Sequence, residues 1–269
     1  MLGVACGRIG YDPLDGDADP DTDPDADPDS AVDADGDAPD TGPDPLLVGC
    51  VVYEHMDEAA WTGVPGEVDD ACGGDDLGTA VGGATTVSNG VRGRAGSFPG
   101  GAGCVNVPAS AALHANGALT LSAWVFPTAL NGVTEYGVLS KRTNFGQDTE
   151  YSVFVWTSDN VYVDVDTEND REPGGNVALV NDTWQQLTVT YDGALAGAER
   201  VHIYVNGALD LTKAETSATV PLSGAGLSVG CLPLGGPAQG WVGKLDEVVV
   251  WNRALSSAEV AAWYQQTRP

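Results

Sequence analysis

Residues Trp241–Gln266 read WVGKLDEVVVWNRALSSAEVAAWYQQ, and this stretch decides the fold. From Trp241 to Trp251 apolar and β-branched residues fall at both parities, with Leu245, Val249 and Trp251 on one face and Val248 and Val250 on the other. A strand that is apolar on both faces belongs in the middle of a sheet with material packed on each side. Leu255–Val260 then has the form of a capping box. Ser256 is placed to accept from the amide of Glu259, the Glu259 carboxylate to reach back, and Leu255 and Val260 to staple the entry. The spacing predicts a buried central strand feeding a short C-terminal helix.

The run Gly243-Lys244-Leu245-Asp246-Glu247-Val248, Trp251-Asn252-Arg253-Ala254-Leu255-Ser256 and Glu259-Val260 resembles the C-terminal signature of bacterial laminin-G-like domains of the concanavalin-A type. Other segments agree. Leu46–His55 is an apolar run suited to a first strand, and Met56–Gly63 with Gly66–Asp70 resembles the family's opening loop. Gly93–Phe98 followed by Cys104–Pro108 is similar to its G-x-A-G-x-F…V-x-(V/I)-P segment, with Pro99 and Cys104 where the family has Asp and Tyr. Trp184–Asp192 and Arg200–Gly207 are similar to a further strand pair. The resemblance covers residues 46 to about 266 and implies an all-β, two-sheet antiparallel jelly-roll sandwich with a short C-terminal helix.

Alternation in the middle of the chain points the same way. Leu121, Ala123 and Val125 oppose Ser122, Trp124 and Phe126; Tyr151, Val153 and Val155 oppose Ser152, Phe154 and Trp156; Val161, Val163 and Val165 oppose Tyr162, Asp164 and Asp166. Leu187, Val189 and Tyr191, and then Val201, Ile203 and Val205, repeat the pattern. Asn206-Gly207 supplies a two-residue hairpin turn, since both positions need positive φ.

Composition divides the chain into a tether, residues 1–45, and a domain, residues 46–269. Between Asp12 and Asp44 there are 14 Asp, no Lys or Arg and no aromatic residue, so little apolar surface is available to offset chain entropy. This predicts a disordered, self-repelling acidic tether. The net charge of -28 leaves the domain acidic by about 15, which disfavours nucleic acid and anionic lipid surfaces as partners and leaves cations, neutral glycans and basic protein patches open.

Five cysteines split as one and four. Cys6, in Leu2-Gly3-Val4-Ala5-Cys6-Gly7, resembles the end of a bacterial lipoprotein signal and is the expected lipidation site of an exported envelope or secreted protein. Cys50, Cys72, Cys104 and Cys231 contain no C-x-x-C, which argues for two disulfides rather than zinc. Three pairings are open. Cys72–Cys104, both in Gly-rich loops, and Cys50–Cys231, both at strand ends that the jelly-roll resemblance brings close, are the expected bridges.

Candidate chemistry is sparse. Asp164, Asp166 and Glu168 alternate, as do the carboxylates of concanavalin-like glycosidases, where a nucleophile and an acid stand ~5 to 5.5 Å apart. That makes a glycoside hydrolase or lyase the competing reading, with a purely structural envelope module as a third. His55, His114 and His202 lie in no nucleophile-elbow context. The resemblance implies a structural calcium ion where the first strand's loop meets the last strand, with Asp246 as ligand and Asp57 and Asp70 as companions; the alternative for Asp246 is a salt bridge or a hydrogen bond to loop amides. Tyr162, Tyr204, Trp156 and Phe145 are candidate rings for stacking on sugar. The Asn144–Gly146 turn and the Glu168–Asn176 loop are candidate contact surfaces. The expected function is non-catalytic recognition of a carbohydrate or another extracellular partner.

Overall fold

The computed structural model describes residues 44–144, 147–166, 171–233 and 239–269. Residues 1–43 with Cys6, and Phe145, Gly146 and Glu168, lie outside the described residues. In chain order the strands are β1 (Cys50–Glu54), β2 (Thr79–Val81), β3 (Thr85–Ser88), β4 (Arg94–Pro99), β5 (Cys104–Val107), β6 (Ala118–Pro127), β7 (Tyr136–Asn144) and β8 (Gln147–Val155). They continue as β9 (Val161–Asp164), β10 (Gln185–Asp192), β11 (Val201–Val205), β12 (Ala208–Lys213), β13 (Leu227–Val229), β14 (Cys231–Leu232), β15 (Gln239–Gly240) and β16 (Val242–Trp251), and the helix α1 spans Ser257–Thr267.

Two antiparallel sheets form the sandwich. One runs β12-β11-β10-β6-β16-β4-β3, with β1 also on β16; the other runs β2-β5-β13-β7-β8-β9. As the sequence pattern requires, Leu121, Val125, Val153, Val163, Val189 and Ile203 point into one shared core between them. Asn206 and Gly207 both take positive φ, 51° and 74°, at the β11–β12 turn. Glycine is needed at 207 for a second reason, because a Cβ there would stand 2.7 Å from Cβ of Tyr264 on α1.

β16 is central, and one detail of its expected pattern is corrected. On one side it pairs with β6; on the other it pairs first with β4 and then with β1. The ladder with β6 breaks between Asp246 and Val249, and Glu247 adopts φ 49°. This bulge adds a residue and shifts the phase. Leu245 therefore joins Val248 and Val250 in the inter-sheet core, while Val249 and Trp251 face outward under α1. Strict alternation had put Leu245 with Val249 and Trp251.

The capping box forms as expected. Ser256 Oγ accepts from the Glu259 amide at 3.3 Å, and the Ser256 amide donates to Glu259 Oε2 at 2.8 Å. Leu255, Val260 and Trp263 pack on Tyr53, Tyr204, Val249 and Trp251, with the Trp251 and Trp263 rings edge to face at 5.3 Å. At the far end of α1 the buried Thr267 hydroxyl accepts from Trp124 Nε1 and Gln186 Nε2 and donates to the Trp263 carbonyl.

The disulfides are Cys50–Cys72 and Cys104–Cys231, which overturns the expected pairing. The physical reason is local. Asp70 Oδ1 accepts from the amides of Tyr53 and Cys72, and the Ala71 amide donates to the Tyr53 carbonyl, so the loop runs alongside β1 and delivers Cys72 to Cys50. The other pair follows from register, because Val229 opposes Val105 on β5 and the chain carries Cys231 on past Cys104. Among the described residues no helix is long and apolar enough to cross a membrane.

The bridges close segments of 22 and 127 residues. By loop entropy, replacing both Cys104 and Cys231 with Ala lowers unfolding free energy by about 5 kcal/mol, and replacing Cys50 and Cys72 by about 3 kcal/mol. Urea denaturation of the two double variants, with non-reducing peptide mapping of the wild type, checks both the order and the connectivity.

Candidate functional site

Two regions gather the chemistry. The first surrounds the β16 bulge. Burial pushes the Asp246 carboxyl up to about 8, opposed by the amides that donate to it. Val91 N reaches Asp246 Oδ2 at 2.6 Å, Arg92 N reaches it at 3.2 Å, and Glu247 N reaches Oδ1 at 2.9 Å. A Cβ on Gly90 would lie 2.6 Å from the same Oδ2. Asp246 thus holds the β3–β4 turn against the bulge. Its neighbour Glu247, buried and at positive φ, accepts from the Tyr53 hydroxyl and lies 3.1 Å from His55 Nδ1. That contact raises the His55 pKa, and desolvation of the ring opposes it.

A hollow of about 390 Å³ beside this bulge is lined by His55, Asp57, Glu58, Asp69, Asp70 and Ala71. Asp57 and Asp70 share it; Asp246 is not in its lining. Asp57 Oδ1 accepts from Arg94 N at 2.6 Å, across Gly93 at φ +57°, where a Cβ would stand 2.3 Å away. Glu58 accepts from Trp61 Nε1 and Asp69 N, each at 2.9 Å. Among the described residues no three His, Cys, Asp or Glu side chains converge as metal ligands. Each of Asp57, Asp70 and Asp246 directs at least one oxygen at main-chain amides.

Glu54 is what sequence reasoning missed here. It closes β1 on the core side and is fully buried, and burial pushes its carboxyl up to about 8, with Glu58 and Asp70 adding to the effect. The signal was one acidic residue within the apolar run Leu46–His55.

The second region is the outer face of the six-stranded sheet. Register lines up Asn106, Ser228, Ser140, Ser152 and Asp164 across five strands. Ser228 donates to Asn106 at 3.1 Å, the Ser140 and Ser152 hydroxyls are 3.0 Å apart, and Arg142 Nη1 lies 3.6 Å from Asp164 Oδ2. Asp164 closes β9, and Asp166 lies just beyond the strand. Both are buried and engaged, Asp164 by Arg142 and Asp166 by the Ser217 hydroxyl.

Next to this row stands an aromatic group. Phe154 and Tyr162 stack at 5.7 Å, Trp156 meets Tyr162 edge-on at 5.4 Å, and Leu232 covers Phe154 and Tyr162. Trp156 is half-buried, its Nε1 donates to the Val133 carbonyl, and the Arg171 guanidinium lies 4.4 Å from the centre of the ring. Arg171 is paired with Glu135 at 2.9 Å. Glu135 in turn lines a hollow of about 490 Å³ with Thr134, Tyr136, Gln239 and Gly240. Of the other candidate rings, Tyr204 is buried beneath α1.

This architecture defines a jelly-roll β-sandwich of the lectin type. Residues 99–261 match the family described as the concanavalin A-like lectin/glucanases superfamily, laminin G type, and the chain belongs to it. Among solved structures it is similar to the binding domain of Paraclostridial Mosquitocidal Protein 1, with a TM-score of 0.61 at 14% identity over 82% of this chain and 53% of that one. Domain 4 of the extracellular GH43 arabinanase of Geobacillus stearothermophilus, in complex with arabinotriose, gives a TM-score of 0.59 at 16% identity over 80% of this chain and 98% of that domain. The binding domain of botulinum neurotoxin DC, in complex with rat synaptotagmin II, gives 0.59 at 12% identity over 83% and 52%. The chain spans about half the length of the toxin binding domains and nearly all of the arabinanase domain. No curated protein matches.

Asp246→Ala leaves three amides at the bulge without their acceptor. The expected loss of unfolding free energy is about 3 kcal/mol or more, since each buried donor left unmet costs about 1–3 kcal/mol. Equilibrium urea unfolding of this variant beside the wild type measures it.

Proposed function

We propose that this chain is a non-catalytic carbohydrate-recognition module, carried at the surface of an exported protein by the acidic tether and an acylated Cys6. The observation that carries the reading is the rim formed by Trp156, Arg171 and Glu135. There a half-buried indole, met edge-on by Tyr162 and with the Arg171 guanidinium over one face, is linked through the Arg171–Glu135 pair to a hollow with hydrogen-bonding groups. Sugar rings present an apolar C–H face to an aromatic ring and hydroxyls to polar neighbours, and such sites pair a few polar groups with an apolar surface. Fixing the ring in advance lowers the ordering cost of binding.

The acidic character of the domain favours neutral over anionic glycans. The similar arabinanase domain is seen with a neutral oligosaccharide, which supports the same class here. Asp164 and Asp166 have structural partners, Arg142 and Ser217, which supports binding without hydrolysis. The two disulfides suit an oxidising compartment.

A glycan screen followed by calorimetry on the full chain tests the reading. The wild type is expected to retain a neutral oligosaccharide, arabinan fragments among them, without cleaving it. Trp156→Ala is expected to lose at least about ten-fold in affinity, consistent with the ~1.4 kcal/mol that an aromatic contact supplies. A variant that binds as tightly as the wild type, or release of shortened sugars, overturns it.

A further inference from the structure

The core beside β7 and β8 holds an amine and a carboxylate in contact. Lys141 on β7 faces the interior opposite Tyr151, and Glu150 is the extra residue where the β7–β8 register shifts. That bulge turns the Glu150 side chain to the side of Lys141. The two side chains are 1% and 0% exposed, and Lys141 Nζ lies 2.5 Å from Glu150 Oε1. Three further groups close around them. The Ala225 carbonyl accepts from Lys141 Nζ at 2.8 Å, the Ser223 amide donates to Glu150 Oε1 at 2.8 Å, and His114 Nδ1 lies 2.8 Å from Glu150 Oε2. Of the three side chains, only that of His114 reaches solvent to any extent.

In water an ammonium and a carboxylate are more stable than the amide between them, because both ions are hydrated. In a dry core that hydration is lost, and the balance moves toward a neutral product. The surroundings also supply what a condensation needs. Contact between amine and carboxyl replaces a chance encounter by a fixed one. The Ser223 amide is a donor for charge that develops on Oε1, and His114 stands at the other oxygen as a proton carrier.

We propose that Lys141 and Glu150 condense to an intramolecular amide, a self-formed cross-link between β7 and β8. Nζ of Lys141 attacks Cδ of Glu150; the N–C bond forms, the Cδ–Oε2 bond breaks, and Oε2 departs as water. That water takes two of the three ammonium protons, with His114 passing one to Oε2 and recovering one from the nitrogen. No oxidant, reductant or activated group takes part. The product keeps the contacts of the pair, since its N–H still faces the Ala225 carbonyl and its C=O still faces the Ser223 amide. The water leaves on the His114 side. Nothing in this step involves the rim at Trp156, so the cross-link and glycan binding stand or fall separately.

Tryptic mapping of the full chain, reduced and alkylated, tests the bond. After Arg94 the next tryptic sites are Lys141, Arg142 and Arg171. The wild type is expected to give residues 95–142 joined to 143–171, lighter than the two peptides together by one water molecule and uncut after Lys141. Lys141→Arg keeps the charge and removes the amine; it is expected to give the two peptides unlinked. His114→Ala, sampled at intervals from synthesis onward, is expected to join on the order of 100-fold more slowly, the factor a positioned proton donor supplies. The wild-type map decides by itself, whether or not the variants fold. Unlinked wild-type peptides after prolonged incubation, a joined species that persists in Lys141→Arg, or His114→Ala joining at the wild-type rate each overturns the proposal.

Discussion

The structure depends on one strand being shared by three neighbours. β16 runs along β6 on one side, and on the other it serves β4 with its first half and β1 with its second. A regular strand cannot change partner without leaving amides unpaired, and the bulge at Asp246–Glu247 is where the change is made. The residues at the break supply what the ladder lacks. Asp246 accepts from the amides of Val91 and Arg92, and Glu247 meets Tyr53 and His55. The bulge so connects the first strand, the β3–β4 turn and the last strand at one end of the sandwich.

This dependence explains what could be read from the residues and what could not. Burial of one sheet face enforces a period of two, so the inward sets on β6, β8, β9, β10 and β11 were legible, and local hydrogen bonding made the cap at Ser256 and the turn at Asn206-Gly207 equally so. The phase of Leu245 was not, because a bulge leaves no mark in an apolar run. Nor were the cysteine partners, since Cys104 meets Cys231 only once β13 lies beside β5. Asp57, Asp70 and Asp246 were picked out as calcium ligands, and geometry gives each of them main-chain amides to hold.

The functional reading rests on the contrast between the two sheet faces that look away from the core. The outer face of the larger sheet is covered by α1, with Trp251, Trp263 and Tyr53 packed beneath it. That of the smaller sheet carries the serine row, the ion pair of Arg142 and Asp164, and the Trp156 rim. The ring at the edge of the smaller sheet is braced by neighbours rather than free to turn, and on the larger sheet a hollow lined by His202, Tyr204 and Leu209 opens beside α1. Family membership sets the scaffold, while the chemistry at the rim belongs to these particular side chains.

The meeting of the folded domain's two ends has a mechanical consequence. Asp44 bonds Gln266, the Leu46 carbonyl accepts from Trp251, and Cys50 lies opposite Trp251. A load applied between residues 44 and 269 thus enters at a single corner and bears on α1 and on the β1–β16 ladder, whose Val51, Val52, Val248 and Val250 reach into the inter-sheet core. The first residue of β1 is bonded covalently to Cys72, so the pull is divided at once between the strand and the loop beyond it.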